Sequence, residues 1–123
     1  MSEKKPTESI WAYQKRLKKE EAIKVYDQDG ITVIKPLSGE ACSLYGNQTK
    51  WCVCGRRAAQ NWSNHIAKNV CFYIVINKNL DKNDLLYKVL AEVADDGSVI
   101  WWDVLNNQIE KPFFIDAPTH RNN

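Results

Sequence analysis

An alternating run, 86–94, and a largely apolar run, 99–105, flank the tetrapeptide Asp95-Asp96-Gly97-Ser98. Asp-Gly supplies the positive φ angles of a tight turn, so the two runs are expected to pair as an antiparallel hairpin. In the first run Val89, Ala91 and Val93 alternate with Lys88, Leu90 and Glu92, which puts the two sets on opposite faces. Residues 70–77, apolar and rich in β-branched and aromatic side chains, precede them across a polar loop and form the best candidate for a central strand. Asn106-Asn107 marks a further turn, and 113–115 offers one more short strand. Half of the chain is thereby committed to an antiparallel sheet.

The other half mixes periods. Thr7 is an N-cap candidate with Glu8 at the favourable end of a helix dipole, and Ile10, Tyr13 and Leu17 follow at helical spacing. The stripe fades at 18–21 and resumes at Ile23 and Val25, which predicts a helix over about 7–26, docked mainly by its first half and ended by Asp27-Gln28-Asp29-Gly30. Residues 31–35 form a short strand closed by Pro36. Ser38 caps a second helix that Gly46 ends. Trp51 to Cys54 reads as a strand, and Ala58, Trp62 and Ile66 lie on one face of a third helix that Asn69 stops. The sum is an α+β fold: one domain of 123 residues with frayed ends at 1–6 and 117–123. An antiparallel sheet of about four to five strands carries an N-terminal helix and two shorter ones on one face.

Composition is that of a soluble domain, 44% hydrophobic and 26% charged, with a net charge of +2. That charge is too small to predict nucleic-acid binding, and the basic residues of 15–24 are interspersed with acids, as on a solvated helix face. The first residues are polar and no apolar stretch approaches the ~20 residues of a membrane helix, so a cytoplasmic location with no membrane association is expected. In that compartment Cys42, Cys52, Cys54 and Cys71 are expected as reduced thiols. Five tryptophans are the unusual component. Trp11 beside the first helix stripe, and Trp102 as one of two adjacent indoles that must face opposite sides of a strand, are candidate partner-binding residues.

The densest chemistry lies in Glu40-Ala41-Cys42-Ser43-Leu44-Tyr45-Gly46-Asn47-Gln48-Thr49-Lys50-Trp51-Cys52, at a helix-turn-strand junction. This segment resembles the pattern E-A-x-x-Y-G-x-x-T-x-W-C of small, mostly phage-encoded proteins without an established activity. Pro36-Leu37, Glu40, Ala41, Tyr45, Gly46, Thr49, Trp51 and Cys52 match in order, followed by Trp62, the run 72–78 and Asp103, so the resemblance spans about residues 31–106. Cys54 and Gly39 depart from the pattern, which commonly has a small or hydroxyl residue and a histidine there. The resemblance implies a phage effector, acting inside the host cell on a host or defence component.

Three catalytic or metal chemistries compete with simple binding at the corner. Cys52 as a nucleophile needs a base, and His65 is the candidate, with Asn61 or Asn64 to orient it. Zinc on Cys42, Cys52, Cys54, His65 and Cys71 lacks the C-x-x-C knuckle, so no metal and no cofactor is expected. A nuclease would join His65 or His120 to Lys50, Arg56 and Arg57. The favoured reading is instead a binding site made of Glu40, Tyr45, Gly46, Thr49, Trp51, Cys52, Arg56 and Arg57, with the arginines and a helix start suited to a small phosphate-containing ligand. A small enzyme acting on a nucleotide or nucleic acid through Cys52 or His65 is the alternative.

Overall fold

The computed structural model describes residues 4–46, 49, 51, 62–64, 66 and 68–115. Helix α1 (Ile10–Glu20) leads into β1 (Ala22–Gln28) and β2 (Ile31–Pro36), and α2 (Gly39–Tyr45) follows. Strands β3 (Cys71–Asn77), β4 (Lys88–Val93), β5 (Val99–Trp102) and β6 (Gln108–Ile109) complete the sheet. All six strands pair antiparallel in chain order, β1-β2-β3-β4-β5-β6. The fold is α+β, with six strands where four to five were expected. No described helix is long and apolar enough to cross a membrane.

The largest correction concerns 22–28, expected as the second half of a long helix and found as β1. Ser9, not Thr7, caps α1, its side chain accepting from the Ala12 amide at 3.0 Å. The helix is also anchored by its second half: Leu17 is 2% exposed, whereas Ile10 is 60% exposed. Beyond Glu20 the β-branched Ile23 and Val25 lie in a segment that finds a partner strand two residues past Gln28, and pairing outweighs helical spacing. Asp29 at φ 57° and Gly30 at φ 80° make the tight turn of this first hairpin, the left-handed geometry that two-residue hairpin loops favour. Register slips between Lys24 and Tyr26, leaving Val25 unpaired in a bulge.

The turn is clamped from the far side of β2. Asn79 Nδ2 donates to the Asp29 carbonyl at 2.8 Å, and the Lys78 amide donates to the Gly30 carbonyl at 2.7 Å. A Cβ on Gly30 would lie 2.7 Å from Asn79 Oδ1. Gly30→Ala is therefore expected to destabilise the protein by about 1–3 kcal/mol, from strain at positive φ plus the clash. A fall in the urea midpoint at unchanged m-value checks it, and Asn79→Ala in the same chain should recover the steric part.

Alternation divides the core into two layers. On one face Ile34, Phe72, Ile74 and Leu90 pack with Cys42 of α2 and with Trp51. On the other, Ile31, Val75 and Val89 are buried against Tyr26, Trp101, Ile109, Phe114 and Ile115. Residues 62–64 and 66 are helical, and Trp62 packs on the first layer, its ring 5.5 Å from that of Phe72. Asn69, at φ 60°, follows them. Residues 113–115, expected as a strand, are helical and cover the second layer, so the helices do not all share one face. The β4–β5 turn places only Gly97 at positive φ, 88°, after a turn closed by Gly97 N–H on the Ala94 carbonyl at 2.9 Å. The returning strand ends at Trp102, three residues short of expectation, because Asp103 begins a turn.

An ion-pair clamp fixes the segment before α1. Arg16 donates to both oxygens of Glu8, Nε to Oε2 at 2.9 Å and Nη2 to Oε1 at 3.0 Å, and the Lys5 amide adds a bond at 3.1 Å. These donors, Arg16 first, hold the Glu8 carboxyl down at about 2, below its ordinary 4.5. A carboxyl with a depressed folded-state pKa stabilises above its unfolded pKa and loses that contribution as pH falls toward the folded value. The stability difference between the wild type and Glu8→Gln is thus expected to be full above about pH 4.5 and to vanish by about pH 2. Parallel denaturation curves over that range check this.

Candidate functional site

The corner is built on α2. Ser38 Oγ accepts from the Ala41 amide at 3.1 Å, and Glu40 sits in the first turn, where a carboxylate is favoured. Gly46 ends the helix, its amide donating to the Cys42 carbonyl at 2.8 Å. Its φ of −85° is open to any residue, so the turn does not depend on glycine's left-handed conformation. Side chains and amides from Lys88, Thr49 and Trp51 then bond backbone carbonyls. Lys88 Nζ donates to the Tyr45 carbonyl at 2.8 Å, a cation at the helix C-terminus. Thr49 donates twice to the Gly46 carbonyl, from its amide at 3.0 Å and from its hydroxyl at 2.5 Å. Trp51 Nε1 donates to the Asp103 carbonyl at 2.7 Å.

Asp103 is itself the organiser of the β5–β6 turn. It is 4% exposed, and its Oδ1 accepts from the Leu105 amide at 2.9 Å and the Asn107 amide at 3.0 Å. The Asn106 amide reaches its carbonyl at 3.0 Å. Trp51, 1% exposed, thus ties the corner to that turn through the core.

The sequence-expected site residues do not converge on one pocket. Trp51 is a correction: its ring lies inside the core layer and offers no surface to a ligand. Tyr45 packs partly buried against the same layer, and burial raises its phenol above the ordinary value. Gly46 is buried. Glu40 turns toward α1 and lines a groove of about 350 Å³ with Tyr13, Gln14, Leu17, Ser43 and Leu44. Burial, and then the charges of Glu40 and Glu21, raise the Tyr13 phenol. Cys52, Arg56 and Arg57 lie outside the described residues, as do Lys50, Cys54, Asn61, His65 and His120. Trp102 is half-buried against the first core layer and donates from Nε1 to Glu92 Oε1 at 3.1 Å, while Trp101 packs in the opposite layer. Trp11 is 70% exposed, with the Lys15 ammonium 4.9 Å from its ring centre.

Among the described residues of the expected set, Thr49 opens onto a cleft of about 540 Å³. Lys82, Asn83, Leu85, Tyr87, Lys88, Val104 and Leu105 line it as well. The β3–β4 loop that brings Lys82 and Asn83 there spends its own acids on its backbone. Asp81 Oδ1 accepts from the Asn83 amide at 2.8 Å, and Asp84 Oδ1 from the Leu86 amide at 2.9 Å. Two cations and several neutral donors face the cleft, and no carboxylate lines it among the described residues. The thiol of Cys42 is buried in the core, and Cys71 is half-buried at the start of β3. Among the described residues no cluster of His, Cys, Asp and Glu is arranged to hold a metal.

No protein-family model, curated protein or solved structure matches the chain.

Proposed function

We propose that this is a binding protein that holds a small phosphate-containing anion in the cleft beside the α2 corner. The reading is carried by one observation: Lys82 and Lys88 share a cleft of about 540 Å³ with the Asn83 amide and Tyr87. Ammonium groups and neutral donors on a concave wall favour an anion, and the size is that of small-molecule sites. Lys88 bonds the Tyr45 carbonyl, which holds its ammonium at the α2 end of the cleft. Titration calorimetry with inorganic phosphate tests the proposal. Binding that weakens with added salt and is reduced several-fold by Lys82→Ala is expected. Lys82 is exposed, so its loss leaves the fold intact, and phosphate binding unaffected by Lys82→Glu would overturn the assignment.

A second reading rests on Trp11. An indole 70% exposed beside Ile10 at 60% is a candidate anchor for a host or defence protein, as expected of a phage effector. Loss of a captured host partner on Trp11→Ala, with thermal stability unchanged, is the outcome that supports it.

A further inference from the structure

The cleft is larger and more apolar than a free phosphate requires. Its walls divide by chemistry. Lys88 and Thr49 both bond carbonyls at the C-terminal end of α2, at 2.8 Å and 2.5 Å, so the ammonium and hydroxyl belong to one end. Leu85 and Val104 are tied side by side by the Val104 amide on the Leu85 carbonyl at 3.3 Å, and Leu105 continues that wall. Leu85 and Leu105 are each 46% exposed, apolar surface left open to water inside a concavity. Tyr87 adds an aromatic ring to the lining. A cationic end and an apolar wall in one cleft match a ligand that carries a phosphate on an apolar, planar body.

We infer that the ligand class is a nucleoside monophosphate, its phosphate at Lys88 and Lys82 and its base on the Leu85–Val104–Leu105 wall near Tyr87. The inference rests on the anion reading above and refines it. The cleft volume of about 540 Å³ suits such a molecule, and the open leucine surface gains by being covered.

Calorimetry with AMP, GMP, CMP and UMP, set beside ribose 5-phosphate and inorganic phosphate, tests the inference. At least one nucleotide is expected to bind about tenfold or more tightly than ribose 5-phosphate. Leu85→Ser is expected to remove that advantage while leaving inorganic phosphate binding unchanged, and its exposure keeps the fold out of the result. If ribose 5-phosphate and every nucleotide bind equally, the base has no wall and the inference fails, while the anion reading stands. If no probe binds, both fail.

Discussion

Trp51→Ala is expected to lower the unfolding free energy by about 3–5 kcal/mol, the range for removing a large aromatic side chain from a packed core. Trp51 is 1% exposed and sits among Ile34, Cys42, Phe72, Ile74 and Leu90, so the vacated space cannot be filled by water without wetting α2 and the sheet together. Trp51→Phe separates the indole's packing from its hydrogen bond. It keeps most of the ring and loses the donor to the Asp103 carbonyl. The expected loss is about 1–2 kcal/mol, that of one buried hydrogen bond. The carbonyl retains the Asn106 amide, which keeps that figure from rising further. Equilibrium denaturation of the two variants measures both terms. A phenylalanine variant as unstable as the alanine one would assign the whole effect to the hydrogen bond.

Asp103→Ala is expected to cost about 2–4 kcal/mol, the scale for removing two hydrogen bonds to a carboxylate. It takes the acceptor from the Leu105 and Asn107 amides at a turn whose first residue is 4% exposed. Asp103→Asn keeps an acceptor oxygen for those amides and should recover most of the loss. Trp51 bonds the main chain of Asp103, not its carboxylate, so the two residues interact through the geometry of the turn. A cycle of Trp51→Phe and Asp103→Ala is expected to be non-additive: once the turn has lost its acceptor, the indole bond has less to hold. Independent losses that simply sum would show that the carbonyl stays in place without the carboxylate.

These two residues also mark how far sequence alone reaches. The signature segment is visible as a motif, yet its chemistry reads there as a recognition site. Its Thr49 and Trp51 bond backbone carbonyls and serve as fasteners. Nothing in a local pattern links Trp51 to a carbonyl at Asp103, since only the assembled fold brings them together. The same holds for the cleft. Lys82, Asn83 and Lys88 belong to an ordinary polar loop and a strand start, and they meet Thr49 only because β3 and β4 lie beside α2. The hairpin at Gly97 is legible because an Asp-Gly turn stands between an alternating run and a largely apolar one. The equivalent Asp29-Gly30 turn was hidden by a strand whose Ile23 and Val25 are about half exposed, so neither period dominates the segment before it. β6 spans Gln108–Ile109, too short for any periodicity, and the apolar run 113–115 fits helix and strand equally well.

The bulge at Val25 has a bearing on how copies of the molecule meet in concentrated solution. β1 is one margin of the sheet, and an unbroken regular strand there would present a row of free amides and carbonyls to any passing chain. The slipped register bends that margin. The Lys24 ammonium, 3.3 Å from the Asp27 carboxylate, places charge along it. At the other margin β6 is too brief to template a partner. Removing Val25 would restore an even strand and, with Ile23 still exposed, turn a margin that resists strand pairing into an adhesive one.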